Sequence, residues 1–349
     1  MATYSIPEEF TSELELVDKP DTRSTKDILG ELNRYKPVTS EKNIWAFWHA
    51  GLEAMPSWCQ RNIADWVRIC GPSWTVRVLD VVPDSPNHAL KFASRDLLPD
   101  TFVKGTMDGP YVGPHSMDFL RGALLFGHGG VAIDVGHKLF LHLWEGRNNY
   151  EGISANPALA FVRDIDFSEA ADWPWDFKIG PQHVLEYVSQ VMCWRRLTML
   201  EDAGDGFNGS KYWQENILGI DARHENWAAE DAVGFGSGAR LYELFSLRVD
   251  SDPETKDYKE AYNLVWLLLR SASWQKITHG KGLTHAAALG TLWDENEGKD
   301  SAPGTFGELL RWGSVHLKQN REAISTKPTV KSALILQEGL YGPSEAGAQ

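Results

Sequence analysis

Three charged side chains within SMDFLRGALLFGHGGVAIDVGHKLF, residues 116 to 140, have the types and spacing to do chemistry together: Asp118, Arg121 and Asp134. Asp118 and Arg121 stand three apart, which on a helix places them on one face. Asp134 lies near the end of a short apolar run, Val131-Ala132-Ile133-Asp134-Val135-Gly136, where a carboxylate buried without a partner would be costly. A carboxylate there can hold a divalent cation or a hydroxyl, and a guanidinium suits an oxygen-rich anion. The plainer alternatives are a surface ion pair for Asp118 and Arg121, and a turn-capping carboxylate for Asp134.

These side chains need elements to position them. Ser116 is a candidate N-cap for a helix with the apolar stripe Phe119, Leu120, Ala123, Leu124 and Phe126. Gly129-Gly130 ends it, and a strand is expected over Val131 to Gly136. On that strand Asp134 shares a face with the small residues Ala132 and Gly136, near the carboxyl end, where open α/β sheets bind ligands. Upstream, Ile44-Trp45-Ala46-Phe47-Trp48 reads as a buried strand. A helix follows, with Pro56 in its first turn and Trp58, Ile63, Trp66 and Ile69 at helical spacing. Gly71-Pro72 stops it, and the strand of WTVRVLD ends on Asp80. Strand, helix and strand in close succession imply a parallel sheet with helices on its faces.

Further helices are expected over Gln182 to Gly204 and Asp257 to Ser273. The organisation read from the chain is a polar N-terminal arm or flap over 1–40, one α/β domain with added C-terminal helices over 41–325, and a tail over 326–349. The 349 residues carry 42% hydrophobic and 23% charged side chains, ordinary for a folded protein with a sizeable core. A formal charge of −14 argues against a nucleic-acid binder, so an anionic small molecule would need a metal or a few cationic side chains to invert the local field. Cys59, Cys70 and Cys193 have no CxxC spacing, which excludes a zinc finger and fits a reducing compartment. The start has no basic leader with an apolar core, and the run Leu264 to Leu269 is too short to span a bilayer. A soluble, cytoplasmic protein is expected.

The run D-F-L-R-x-x-L-L-x-x-x-G-G-V-x-x-D from Asp118 to Asp134 resembles the signature of the GT-A-fold sugar transferases. These include the capsular polysaccharide synthesis family, the DXD-motif mannosyltransferase-like family and the glucosylating clostridial toxins. NIWAFWHAG and the helix and strand after it are similar to the opening of the capsular family. WQKITHG, Trp274 to Gly280, is similar to a late segment of the same family. The likeness covers roughly residues 43 to 145 and the short piece near 275. It implies a GT-A-like (Rossmann-like) α/β fold with a mostly parallel sheet, and transfer of a sugar from a nucleotide-sugar donor, UDP-sugar favoured, to a hydroxyl acceptor such as a small metabolite. Retention of anomeric configuration is implied as the default.

By motif position Asp134 is the first aspartate of D-x-D and would meet a Mn²⁺ or Mg²⁺ ion or a donor hydroxyl. Asp118 and Arg121 would contact the donor's sugar and ribose side, and Trp48 or Phe47 would lie near the base. The second aspartate falls on Gly136, a departure that leaves His137 and His279 as candidate replacement ligands. Asp164-Ile165-Asp166 is a literal D-x-D without the Gly-Gly and strand before it, and reads as loop. His224, Glu230 and Asp231 read as a solvated turn or an acceptor-side loop. The alternative function is a GT-A-fold enzyme repurposed for non-sugar chemistry after loss of the second aspartate; a degenerate binding protein is a third reading, against which Asp118, Arg121 and Asp134 stand together.

Overall fold

Ile44 and Ala46 face one buried apolar cluster, and Trp45 and Phe47 face another. A strand covered on both faces must be central in a parallel sheet, which explains its unbroken apolar sequence. The computed structural model in which this is seen describes residues 4–71, 73–109, 112–139, 199–201, 204, 206, 208–216, 228–233, 238–272, 274–276 and 289–320. In chain order the elements are β1 (Leu14–Leu16), α1 (Thr25–Leu32), β2 (Asn43–Phe47), α2 (Ser57–Cys70), β3 (Thr75–Leu79), α3 (Asp100–Val103), α4 (Val112–His128), β4 (Val131–Ala132) and β5 (His137–Leu139). Then come α5 (Gly209–Asn216), α6 (Ala228–Val233), α7 (Gly238–Ser246), α8 (Lys256–Ser271), β6 (Trp274–Lys276), α9 (Leu289–Glu295), α10 (Phe306–His316) and β7 (Leu317–Gln319).

The central sheet is parallel, in the order β3-β2-β4. From β2 the chain goes to β3 on one side and then crosses to β4 on the other, so its direction reverses between β2 and β4. The helices take opposite faces. Trp58, Ile63 and Trp66 of α2 join Ile44, Ala46, Val76 and Val78 in the first cluster. Met117, Leu120 and Leu124 of α4 join Trp45, Phe47 and Leu79 in the second. In such doubly wound sheets the ligand crevice opens at the carboxyl ends of the strands, where the order reverses. Helices α7, α8 and α10 add their buried faces to the first cluster, and the threonine N-caps Thr255 and Thr305 start α8 and α10.

Two boundaries differ from the sequence reading. Helix α4 starts at Val112, four residues before the expected cap. Ser116 is buried inside the helix, and its Oγ donates to the Val112 carbonyl at 2.6 Å, the back-bond of a mid-helix serine. The strand expected over 131–136 pairs only at Val131 and Ala132. Ile133 adds one more hydrogen bond, to the Trp45 carbonyl at 2.9 Å; the chain then turns through Val135 and Gly136 so that β5 can pair antiparallel with β6.

The Gly-Gly break is required by geometry. Gly130 has φ +98°, and a Cβ there would lie 2.3 Å from the Asn43 carbonyl oxygen. Only glycine lets the end of α4 come this close to β2. Residues 4–40, which the sequence leaves open as arm or flap, are packed. Leu14 and Ile28 belong to the first cluster, and β1 pairs antiparallel with β7. The expected helix over 182–204 and the tail over 326–349 lie largely or wholly outside the described residues.

Candidate functional site

The site is built where α4, the end of β4 and the β5–β6 pair meet. Leu120, Ala123 and Leu124 bury one side of α4 against the sheet and leave Asp118 and Arg121 on a less buried side. Arg121 Nη2 lies 3.1 Å from Asp118 Oδ1 and 3.1 Å from Asp134 Oδ1. One guanidinium therefore bridges the two carboxylates that the sequence singles out. Asp134 stands just past the carboxyl end of β4. Its carbonyl accepts from the backbone N–H of His137 at 3.0 Å, which closes the turn.

A fourth charge completes the group. Lys276 Nζ lies 3.1 Å from Asp134 Oδ2. The register of the β5–β6 pair sets His137 opposite Lys276 and so carries the lysine to the turn that holds Asp134. Sequence reasoning missed Lys276 as a site residue although it stands in the WQKITHG segment. Its pairing partner is 139 positions upstream by the register of His137 with Lys276, and no local periodicity reports such a contact.

Burial and the neighbouring charges drive the two carboxyls apart. Burial raises Asp118, Arg121 opposes that, and the nearby Asp134 adds to it; the result is about 6. Burial would raise Asp134 as well, but Arg121, Lys276 and His137 together outweigh it and hold this carboxyl at about 2. Asp134 is thus a fixed anion clamped by two cations, and Asp118 is poised to change protonation near neutrality. His115, one turn before Asp118, has its Nδ1 3.9 Å from the Asp118 carboxylate, and burial lowers its own pKa.

A second ionic cluster supports the turn from behind. Buried Asp65 of α2 lies 3.3 Å from Lys138 Nζ, 2.9 Å from Arg68 and 2.5 Å from Arg311 of α10. Trp66 Nε1 donates to the His137 carbonyl at 3.0 Å. These contacts tie β5 to α2 and α10, and through the β5 register they fix where Lys276 meets Asp134.

The other expected residues are placed as follows. Trp48, half-buried, follows β2 at the same end of the sheet as Asp134 and packs against the first cluster. Phe47 is buried in the second cluster, so of the two aromatics Trp48 is the one with surface left to offer a flat base. Glu230 and Asp231 lie in helix α6, not in a loop. His224, His279, Asp164 and Asp166 lie outside the described residues.

A divalent cation on Asp134 can be tested against this geometry. Each Asp134 oxygen already meets a cationic side chain, so an ion bound there would sit within a few ångströms of two positive charges. At an effective dielectric near 20 each such contact is repulsive by several kcal/mol. Gly136 supplies no ligand, and His137 Nδ1 is 3.0 Å from the carbonyl of Asp134 itself. Among the described residues no group of three or more His, Cys, Asp or Glu side chains is placed to hold a metal. The described donor set does not fit the ion.

A parallel α/β sheet with helices on both faces and charged side chains at its carboxyl edge is compatible with a Rossmann-like glycosyltransferase. Known proteins narrow the class. The chain is 45% identical to a probable glycosyltransferase, FCK3, of Fusarium pseudograminearum, over 97% of this chain and 99% of that protein. It is 31% identical to the O-glycosyltransferase PaGT of Phomopsis amygdali, over 93% of this chain and 94% of that one. It is 32% identical to the glycosyltransferase afumC of Aspergillus fumigatus, over 88% and 94%. The chain belongs to this glycosyltransferase family. No family model matches it, and no solved structure does. Among the described residues no helix is long and apolar enough to cross a membrane.

Proposed function

We propose that the protein transfers a sugar from a nucleotide-sugar donor, a UDP-sugar by preference, to a hydroxyl group of a small-molecule acceptor. The observation that carries this reading is the Asp118–Arg121–Asp134–Lys276 group at the carboxyl edge of the sheet, in a chain of glycosyltransferase ancestry. Relatives named O-glycosyltransferases favour an oxygen acceptor.

In the transfer the acceptor oxygen bonds to the anomeric carbon, and the bond from that carbon to the donor phosphate breaks with its electron pair going to the nucleoside diphosphate. The hydroxyl proton leaves to the departing phosphate or to solvent. Retention of configuration is the default implied by the resemblance of the Asp118–Asp134 run to the capsular and DXD-motif families. In this reading Asp118 accepts hydroxyls of the donor sugar, Arg121 binds donor oxygen atoms, Asp134 holds the two cations in place, and Trp48 covers the base. Catalysis is then positioning and electrostatic stabilisation of the leaving group.

The test is incubation with UDP- and GDP-sugars and a panel of hydroxyl-bearing small molecules, read as a product mass increased by one sugar residue. Product from the wild type that is lost in Asp134→Ala supports the proposal. Donor binding without any transfer would favour the repurposed enzyme, for which the absence of a carboxylate at Gly136 is the motivating feature.

A further inference from the structure

Two carboxylates near the β5–β6 pair are each surrounded by cations, and they differ in one respect. Asp65 with Lys138, Arg68 and Arg311 is closed: those side chains are 6%, 3%, 8% and 13% exposed. Asp134 with Arg121 and Lys276 is open, at 39%, 37% and 20%. The closed cluster is saturated by its own partners and serves packing. The open one presents a guanidinium and an ammonium to solvent at the edge where ligands of such sheets bind.

We propose that Lys276 and Arg121 together neutralise the diphosphate of the nucleotide-sugar donor, so that the donor binds and its nucleoside diphosphate departs without a divalent cation. This rests on the donor-binding reading above and deepens it. Three observations carry it. Each oxygen of Asp134 meets one of these cations, so a divalent ion bound there would sit beside two positive charges. A planar guanidinium and a compact ammonium side by side match the many oxygen atoms of a diphosphate, through charge-assisted hydrogen bonds. In a chain of formal charge −14 an anionic ligand needs local positive charge; Arg121 and Lys276 supply two cations beside Asp134 and Asp118, and the group is net positive when Asp118 is protonated. Asp134 then acts as the positioning residue that aims Lys276, and Lys276 is the contact.

Calorimetric titration of the full-length protein with UDP and with GDP, in EDTA and again with Mn²⁺, tests this directly. The expected result is binding of one of the two in EDTA, with affinity changed by no more than about twofold on adding Mn²⁺. Lys276→Met should weaken that diphosphate about tenfold, the value of one charge-assisted hydrogen bond, and leave the matching nucleoside within about twofold. Lys276→Arg should recover most of the loss. Binding only in the presence of Mn²⁺ overturns the inference and leaves the transferase reading standing. An equal loss for diphosphate and nucleoside would assign Lys276 to packing and also overturns it. No binding of either nucleotide under any condition overturns both readings. Should Lys276→Met fail to fold, inorganic pyrophosphate carries the same test on the wild type in EDTA: displacement of the nucleotide supports the inference, and no displacement overturns it.

Discussion

Asp118 and Asp134 share one guanidinium, and their ionisation should act on stability with opposite sign. Burial, with Asp134 nearby, raises Asp118 to about 6, above its unfolded value. A group raised in this way contributes stability that is fully present below the unfolded pKa, near 4, and lost as pH rises through about 6. At pH 7.5 the charge on Asp118 is therefore a cost to folding. We expect Asp118→Asn to melt at or above the wild-type temperature at pH 7.5, with the gain gone at pH 4, and to lower transfer about a hundredfold through lost donor contacts. For Asp134 burial is outweighed by Arg121 and Lys276, and its contribution is present above pH 4 and lost as pH falls toward about 2. Asp134→Asn should lose about 1 kcal/mol at pH 7.5, a modest figure because the site is partly exposed and screened. Melting curves of both variants at pH 4 and 7.5 decide it; a destabilised Asp118→Asn at pH 7.5 would mean that Arg121 more than repays the burial of that carboxylate. A carboxylate kept at a folding cost is what a binding site requires and a packing role does not.

The elements that hold these residues make their own predictions. Gly130→Ala places a Cβ 2.3 Å from the Asn43 carbonyl oxygen at φ +98° and should cost about 3 kcal/mol. Gly127→Ala, inside α4 with nothing within 4 Å of its added carbon, should gain about 0.5–1 kcal/mol. Urea midpoints compare the two, and equal midpoints would refute the close approach of α4 to β2. In the closed cluster burial pushes Lys138 down to about 8, with Arg311 adding to it and Asp65 opposing. Lys138→Met should stay within about 1 kcal/mol of wild type, since Asp65 keeps Arg68 and Arg311. Asp65→Ala should cost about 3–5 kcal/mol, because Lys138, Arg68 and Arg311 lose the carboxylate that joins them, while Arg311 keeps Asp300 at 3.2 Å. The sequence made β2, α2 and β3 legible to within a few residues, because each carries its own period, proline start or glycine stop. The same local logic placed Ser116 at a cap and ran the strand to Gly136, and there tertiary contacts won: the β5–β6 pairing bends the chain after Ile133. Lys276 meets Asp134 across 142 positions, and no signal within the reach of a helix or strand period encodes that distance.

At the scale of the molecule, the N-terminal segment and the last helices close one shell around the face of the sheet that backs the site. Leu14 is 1% exposed, Tyr4 donates to Glu308 of α10 at 2.8 Å, and Glu13 pairs with Arg270 of α8 at 2.7 Å. Arg270 in turn lies over the Phe10 ring, 4.6 Å from its centre. Arg311 of α10 passes the constraint inward to Asp65, and Lys138 carries it to the β5–β6 pair, at whose edge Lys276 meets Asp134. The polar composition of residues 1–40 hid this role, because Tyr4, Phe10 and Leu14 meet Trp312, Tyr262 and Gln319, each more than 250 positions away. Removing residues 1–20 strips the β1 partner from β7 and uncovers Leu14's place in the core. The expected cost is about 3–5 kcal/mol, counting roughly 2 for the leucine and the rest for the strand pairing and the tyrosine and aromatic contacts. A chain of this size should then melt about 4–7 °C lower. Because the same shell backs the turn, nucleotide affinity should fall in step with the melting temperature, and a bound nucleotide should restore part of the lost stability by mass action. A truncated protein with the wild-type melting temperature would make the segment a passive arm. One that melts lower but binds nucleotide unchanged would show that α2 alone holds the β5–β6 pair, through the bond from Trp66 to the His137 carbonyl.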